Sequence, residues 1–190
     1  IDELIKLSKK KYNTIGSLRS YNDVGIGKKP INLKNFNKIL NFNFKKKFIE
    51  AEAGINLNDL LSKILKKNFI IKSLPGSRYI TLGGMIANNT QGKNIKKGFI
   101  EDHLISLKII RNGKILTCSP KKNKILYYST IGGKGTTGII ISATLRLEKI
   151  VSESMIIEKI FFNDIKDLKK KFLKNKKKEY AVAWVDNLSD

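Results

Sequence analysis

The chain has 190 residues with a formal net charge of +22, and it contains one cysteine and one histidine. That length buries one good core and leaves room for a fragment of a second domain. Cys118 and His103, each alone of its kind, exclude an internal disulfide framework and argue against a zinc centre or a nucleophilic triad.

No run approaches the ~18 apolar residues of a membrane span, and the first residues do not read as a signal peptide. The lone cysteine fits a reducing, cytoplasmic setting. The charge excess is almost all lysine, because arginine occurs only at positions 19, 78, 111 and 146. Lysine triplets at 9–11, 45–47, 169–171 and 176–178 are scattered, and isoleucine and asparagine are also abundant. Two readings stand side by side: compositional drift from an A+T-rich coding bias, or a basic surface for nucleic acid or anionic membrane. Arginine forks with interleaved aromatics, the usual equipment for reading nucleic acid, are missing, so no nucleic-acid partner is expected.

In chain order, residues 2–10 read as a helix and 11–15 as a short strand entering the loop GSLRSYND. KFIEAEA at 47–53 alternates as a half-buried strand does. Leu57, Leu60, Leu61, Ile64 and Leu65 form one apolar stripe behind an Asn56 cap, predicting a helix. Strands are predicted at 105–111, 114–118 and 138–147, the first two joined at Asn112-Gly113, a pair that tolerates the positive φ of a tight turn. All fourteen glycines lie between Gly16 and Gly138. This divides the chain into a loop-rich α+β domain at 1–150 and a tail at 151–190. The tail reads as a strand at 155–162, a lysine-rich helix at about 164–177 and a strand from Tyr180.

Three segments carry chemistry. PGSRYITLGGMIANNTQGKN at 75–94 is too apolar for a solvent loop and too glycine-rich for a core helix or strand. Gly76, Gly83, Gly84 and Gly92 permit close main-chain approach, Ser77 and Thr81 add hydroxyls, and Lys93 adds a charge. Main-chain N–H groups gather around phosphates in this way; the plain alternative is a bent connection with crowding relieved by glycine. GSLRSYND offers Gly16, Ser17, Arg19 and Ser20 as phosphate contacts, or an ordinary polar turn. GGKGTTG at 132–138 holds a literal GxGxxG, yet it leads into the strand-like IIISATLRL and not into a helix, which rejects a nicotinamide Rossmann reading.

Together and in this order the segments resemble the FAD-binding domain of the vanillyl-alcohol oxidase and p-cresol methylhydroxylase superfamily. Within it the chain is most similar to the decaprenylphosphoryl-ribose oxidase group. The likeness runs over 2–147 through RSYND, AEAGINLNDLL, PGSRYITLGGMIANNTQGKN, EDHLISLKIIRNGKILTCSP and TIGGKGTTGIIISATLRL. It returns at YAVAWVD, residues 180–186.

The resemblance implies a two-subdomain FAD-binding fold, here lacking about one initial strand, followed by the start of a substrate domain. It implies adenine near Thr136, Gly138 and Ile140. The pyrophosphate would lie on Gly16, Ser17, Leu18, Arg19, Ser20 and Tyr21 and on Pro75, Gly76 and Ser77. The ribityl chain and flavin would lie along Thr81, Gly83, Gly84, Asn88, Asn89, Gly92 and Lys93. Trp184 and Lys93 would face the substrate, although Trp184 reads equally well as a core aromatic. Leu18 and Asn22 stand where relatives usually have glycine, and Gln91 stands where many have histidine and cannot relay a proton. Arg19 occupies the place of the flavin-linking histidine of covalent relatives, and a guanidinium is no nucleophile toward the flavin methyl group, so a non-covalent flavin is expected.

The activity implied is oxidation of a secondary alcohol on a sugar or polyprenyl sugar by hydride transfer to flavin. The proton-accepting base would belong to the later part of the relatives, so this portion alone could bind FAD and be inert. The electron acceptor is oxygen or a partner protein. A lysine-rich face would assist docking on an anionic membrane. His103 reads as a structural hydrogen-bonding residue.

Overall fold

The computed structural model describes residues 1–10, 12–20, 23–27 and 30–186. In chain order the helices and strands are α1 (Asp2–Leu7), β1 (Thr14–Ile15), β2 (Ile31–Asn32), β3 (Ile39–Asn43), β4 (Phe48–Glu52), α2 (Leu57–Leu65), β5 (Phe69–Ile70) and α3 (Leu82–Ala87). They continue with β6 (Leu104–Arg111), β7 (Lys114–Cys118), α4 (Lys124–Thr130), β8 (Ile139–Arg146), β9 (Glu148–Lys149) and α5 (Ile165–Lys174). Five strands form one antiparallel sheet in the order β3-β4-β8-β6-β7. β1 and β2 pair in parallel as a separate ribbon, and β5 pairs with β9. This is the α+β arrangement the residue pattern predicts.

Period-two alternation puts the sheet's side chains into two cores. Ile49, Ala51, Leu107, Ile109, Ala143 and Leu145 face the larger one, which α2 and α3 close with Leu57, Leu60, Ile64, Leu82, Met85 and Ile86. Ile110, Ile139 and Ile141 face the other side and meet Leu4 of α1 and Leu33. α2 begins as predicted, with Asn56 Oδ1 accepting from the N–H of Asn58 at 3.0 Å. The Asn112-Gly113 turn also forms as predicted: both residues are left-handed, at φ 49° and 76°, between β6 and β7.

Two expectations fail. The stretch 75–94 does contain a core helix, α3, although glycine composition argued against one. Thr81 Oγ1 caps it by accepting from Gly84 N–H at 3.2 Å, and Leu82, Met85 and Ile86 are buried. Gly83 is spent on proximity: a Cβ there would sit 3.0 Å from Ala53 Cβ and 3.1 Å from Ala53 O, and its N–H donates to that oxygen at 2.7 Å. The other failure is in the tail. Residues 155–162 form no strand, and Tyr180 makes a single bridge with Asn94. Strand-like sequence needs a neighbouring strand to complete its hydrogen bonds, and the described residues offer none. The tail helix does form, as α5, capped by Asp164 Oδ1 on Asp167 N–H at 2.8 Å. Among the described residues no helix is long and apolar enough to cross a membrane.

Candidate functional site

A cleft of about 730 Å³ opens beside α3, within the usual size of small-molecule sites. Its walls are residues 14–20, the turn 75–77, the face of α3 with the loop that follows it, and the glycine loop before β8.

Close main-chain contacts bring these segments together. At Gly16 a Cβ would lie 2.2 Å from Thr81 Oγ1, so the first loop sits directly on the cap of α3. The third loop seals the opposite end of that helix. Gly132 N–H donates to Ile86 O and Lys134 N–H to Ala87 O, both at 2.9 Å, supplying donors to carbonyls at the helix end. Gly132, Lys134 and Gly135 are all left-handed, at φ 73°, 53° and 81°. A Cβ on Gly135 would meet Thr14 Oγ1 at 3.3 Å, closing the ring of contacts back to the first loop. The loop after α3 is fastened by Gly92 N–H to Gly98 O at 2.6 Å and Lys93 N–H to Leu74 O at 3.0 Å.

Most of the sequence-predicted site residues converge on this cleft. Gly16, Ser17, Leu18, Arg19 and Ser20 line it, as do Pro75, Gly76 and Ser77. Thr81, Gly83, Gly84, Asn88, Lys93, Gly138 and Ile140 complete the set. Four predicted residues are not on its walls. Asn89 turns to Glu101, donating from Nδ2 to Oε2 at 3.1 Å. Gly92 packs against the main chain of Leu74, and Thr136 hydrogen-bonds Gly133 O at 2.7 Å. Trp184 is 85% exposed. Tyr21 and Asn22 lie outside the described residues. Leu18 takes φ 50°, so leucine adopts here the backbone that glycine takes without strain.

Gly135, part of the GxGxxG, lines the cleft, and so does Lys134, which was not singled out from sequence. Its signal was present inside GGKGTTG, but a lysine in so lysine-rich a chain does not stand out. Lys134 Nζ donates to Asn88 Oδ1 at 2.6 Å, and Asn88 Nδ2 donates to Gly84 O at 3.1 Å. Among the described lining residues the charged side chains are Arg19, Lys93 and Lys134, with no carboxylate. Exposed main chain, hydroxyls from Ser17, Ser77 and Thr81, and three cations suit an anionic, extended ligand.

His103 is elsewhere, 2% exposed, with burial holding its imidazole below the ordinary value of 6.5 and Nε2 without a partner among the described residues. Tyr127 is also buried away from the cleft; its hydroxyl donates to Leu104 O at 2.8 Å and burial pushes its pKa up to about 12. Neither is among the described residues that line the cleft. The tail reaches the cleft's edge at one point, where Ile95 N–H donates to Glu179 O at 3.0 Å and Ala181 N–H to Lys93 O at 3.2 Å. Lys72 braces this clip through Glu148 at 3.1 Å and Glu179 at 2.5 Å.

Comparison with known proteins agrees with this geometry. Residues 3–119 match the family described as FAD binding domain. The decaprenylphosphoryl-beta-D-ribose oxidase of Mycolicibacterium smegmatis is 31% identical over 120 residues, 62% of this chain and 26% of that protein. Mouse L-gulonolactone oxidase is 26% identical over 167 residues, 87% of this chain and 37% of that protein. The chain thus spans between a quarter and two-fifths of these relatives. Among solved structures, an alkyldihydroxyacetonephosphate synthase superposes with a TM-score of 0.68 at 21% identity, covering 78% of this chain and 29% of that one, a likeness of fold. The chain belongs to the FAD-binding domain family, with the fold of the vanillyl-alcohol oxidase and p-cresol methylhydroxylase superfamily.

Proposed function

We propose that the cleft holds FAD without a covalent bond, and that the protein oxidises a secondary alcohol of a sugar or sugar-lipid. The observation that carries this reading is the cleft itself: two glycine-lined loops, far apart in sequence, meet across α3 with three cations and no carboxylate among the described lining residues. Such a wall suits a diphosphate, whose charge is neutralised by ammonium and guanidinium groups and solvated by main-chain N–H groups. The diphosphate is assigned to Gly16, Ser17, Leu18, Arg19 and Ser20 with Pro75, Gly76 and Ser77. The adenosine is assigned to the Gly138–Ile140 side, and the flavin to Thr81, Gly83, Gly84, Asn88 and Lys93.

The flavin supplies the redox chemistry, accepting hydride from the alcohol carbon. The chain's own residues bind and orient. Thr81 holds the start of α3 under the cleft, Gly83 and Gly84 keep its floor low, and Lys93 stands at the rim. Trp184 is three residues beyond Ala181, whose N–H bonds Lys93 O; this supports a place for the indole beside that rim, facing substrate. The alcohol proton's acceptor is assigned to the part of the relatives that this chain does not span. We further propose a division near residue 150, where β9 ends, with the remainder belonging to a substrate domain.

Acid precipitation of FAD-loaded protein tests the non-covalent assignment. Flavin should stay in the supernatant; a yellow pellet overturns it. Anaerobic addition of sugar lactones or polyprenyl-phosphoryl pentoses to the flavin-loaded, full-length protein tests the substrate class. Loss of the oxidised flavin band at ~450 nm is expected for one of them; an unbleached spectrum with all of them contradicts the assignment.

A further inference from the structure

We infer that Lys134 is a specificity-determining contact for the diphosphate of the cofactor, a third cation delivered to the cleft by the glycine loop before β8. The inference rests on the FAD reading above and adds a residue to it. The resemblance carried main-chain positions of this loop, Thr136, Gly138 and Ile140, and gave no role to a charge there.

Lys134 lines the same cleft as the first loop and the turn at Gly76. Its backbone is held left-handed at φ 53°, directly before the left-handed Gly135 at φ 81°, and its N–H is tied to Ala87 O at 2.9 Å. A lysine in that conformation is strained where glycine is not, and strain of this kind concentrates where a side chain has a task. Few main-chain degrees of freedom remain, so the side chain starts from a fixed point on the wall.

The ammonium is also poised. It is oriented by one neutral acceptor, Asn88 Oδ1 at 2.6 Å. Among the described residues no carboxylate pairs with it, although six other lysine contacts of the chain are ion pairs. An ammonium has three donors, so two remain for a ligand. Arg19 and Lys93, the other cations of the cleft, likewise take part in none of those ion pairs. Three positive side chains on one cleft, none of them in those ion pairs of the described residues, favour an anionic ligand. The diphosphate bridge is the anionic part of the cofactor, and the isoalloxazine and adenine rings are not, so selection by charge acts on the bridge.

The test uses the purified chain and titrates FAD and riboflavin separately, followed by flavin fluorescence, at several salt concentrations. Lys134→Met removes the charge and keeps the volume. FAD binding should weaken about tenfold, the scale of one charge-assisted hydrogen bond, and its salt dependence should become shallower. Riboflavin, which has no phosphate, should bind both proteins equally, and Lys134→Arg should retain most of the FAD affinity. Equal FAD affinity and salt dependence in wild type and Lys134→Met overturns the inference, as does an equal loss for FAD and riboflavin. Lys134→Gln, which keeps a donor for Asn88 Oδ1, replaces the methionine variant if the latter melts early. A wild-type chain that binds neither ligand overturns the FAD reading itself, and the inference with it.

Discussion

Gly16 and Thr81 are in contact so close that a single methyl group cannot be added between them: a Cβ on Gly16 would stand 2.2 Å from Thr81 Oγ1. That oxygen is the one accepting from Gly84 N–H at the start of α3. The first loop and the helix cap are therefore one mechanical unit. Gly16→Ala should cost about 1–3 kcal/mol by overpacking, and Thr81→Ala about 1 kcal/mol through loss of the cap. The double variant should lose less than the sum, since the second change removes the atom that the first collides with. Denaturant melts of the four proteins give the coupling; strict additivity would show that the two residues act independently.

Glycine content alone does not tell which positions matter, but the surroundings do. A Cβ on Gly54 would lie 1.8 Å from Leu33 O, a main-chain atom that cannot swing aside, whereas a Cβ on Gly76 meets nothing within 4 Å. Gly54→Ala should destabilise by about 3 kcal/mol or more, and Gly76→Ala by less than about 0.5 kcal/mol. Gly76→Ala should nonetheless weaken FAD binding, because the added methyl enters open space on the cleft wall. Thermal melts paired with FAD titration separate the two effects. An unstable Gly76→Ala, or a stable one with unaltered affinity, contradicts this account of the turn.

His103 gives the fold a pH dependence of definite sign. Burial holds its pKa below 6.5 in the folded protein, while the unfolded chain keeps the ordinary value. Above 6.5 both states are neutral and the group has no effect. As pH falls through 6.5 the unfolded state takes up a proton that the folded state resists, so stability drops. Glu148 acts in a lower window: burial pushes its carboxyl up, but hydrogen bonds from Lys97 and Lys72 outweigh burial and hold it below 4.5. Its contribution is present above 4.5 and is lost as pH falls further. Urea melts between about pH 7.5 and 5 should show declining stability in wild type and a flatter profile in His103→Gln. An unchanged slope in the variant would remove His103 as the cause.

Much of this structure is legible in the residues, for reasons that differ by element. α2 announces itself because Leu57, Leu60 and Ile64 recur at helical spacing and all three are buried. The β6–β7 hairpin announces itself because Asn112-Gly113 accepts two left-handed residues in a row. α3 is hidden because Gly83 looks like a helix breaker until Ala53 is placed against it, a contact no local pattern encodes. The apolar stretch 155–162 misleads in the other direction, since β propensity describes a fit to neighbours that it does not have here. β3 goes unseen because a register irregularity between Ile39 and Asn41 breaks its alternation.

The site divides similarly. Its glycine loops are visible one at a time, whereas their meeting depends on Gly16 against Thr81 and Gly135 against Thr14, which only the fold supplies.

If these loops enclose one flavin dinucleotide, equilibrium titration of the purified chain with FAD should give saturable binding of one FAD per chain, displaced by ADP and lost on Gly16→Ala. Absence of saturable FAD binding, with steeply salt-dependent retention of DNA in its place, would contradict it.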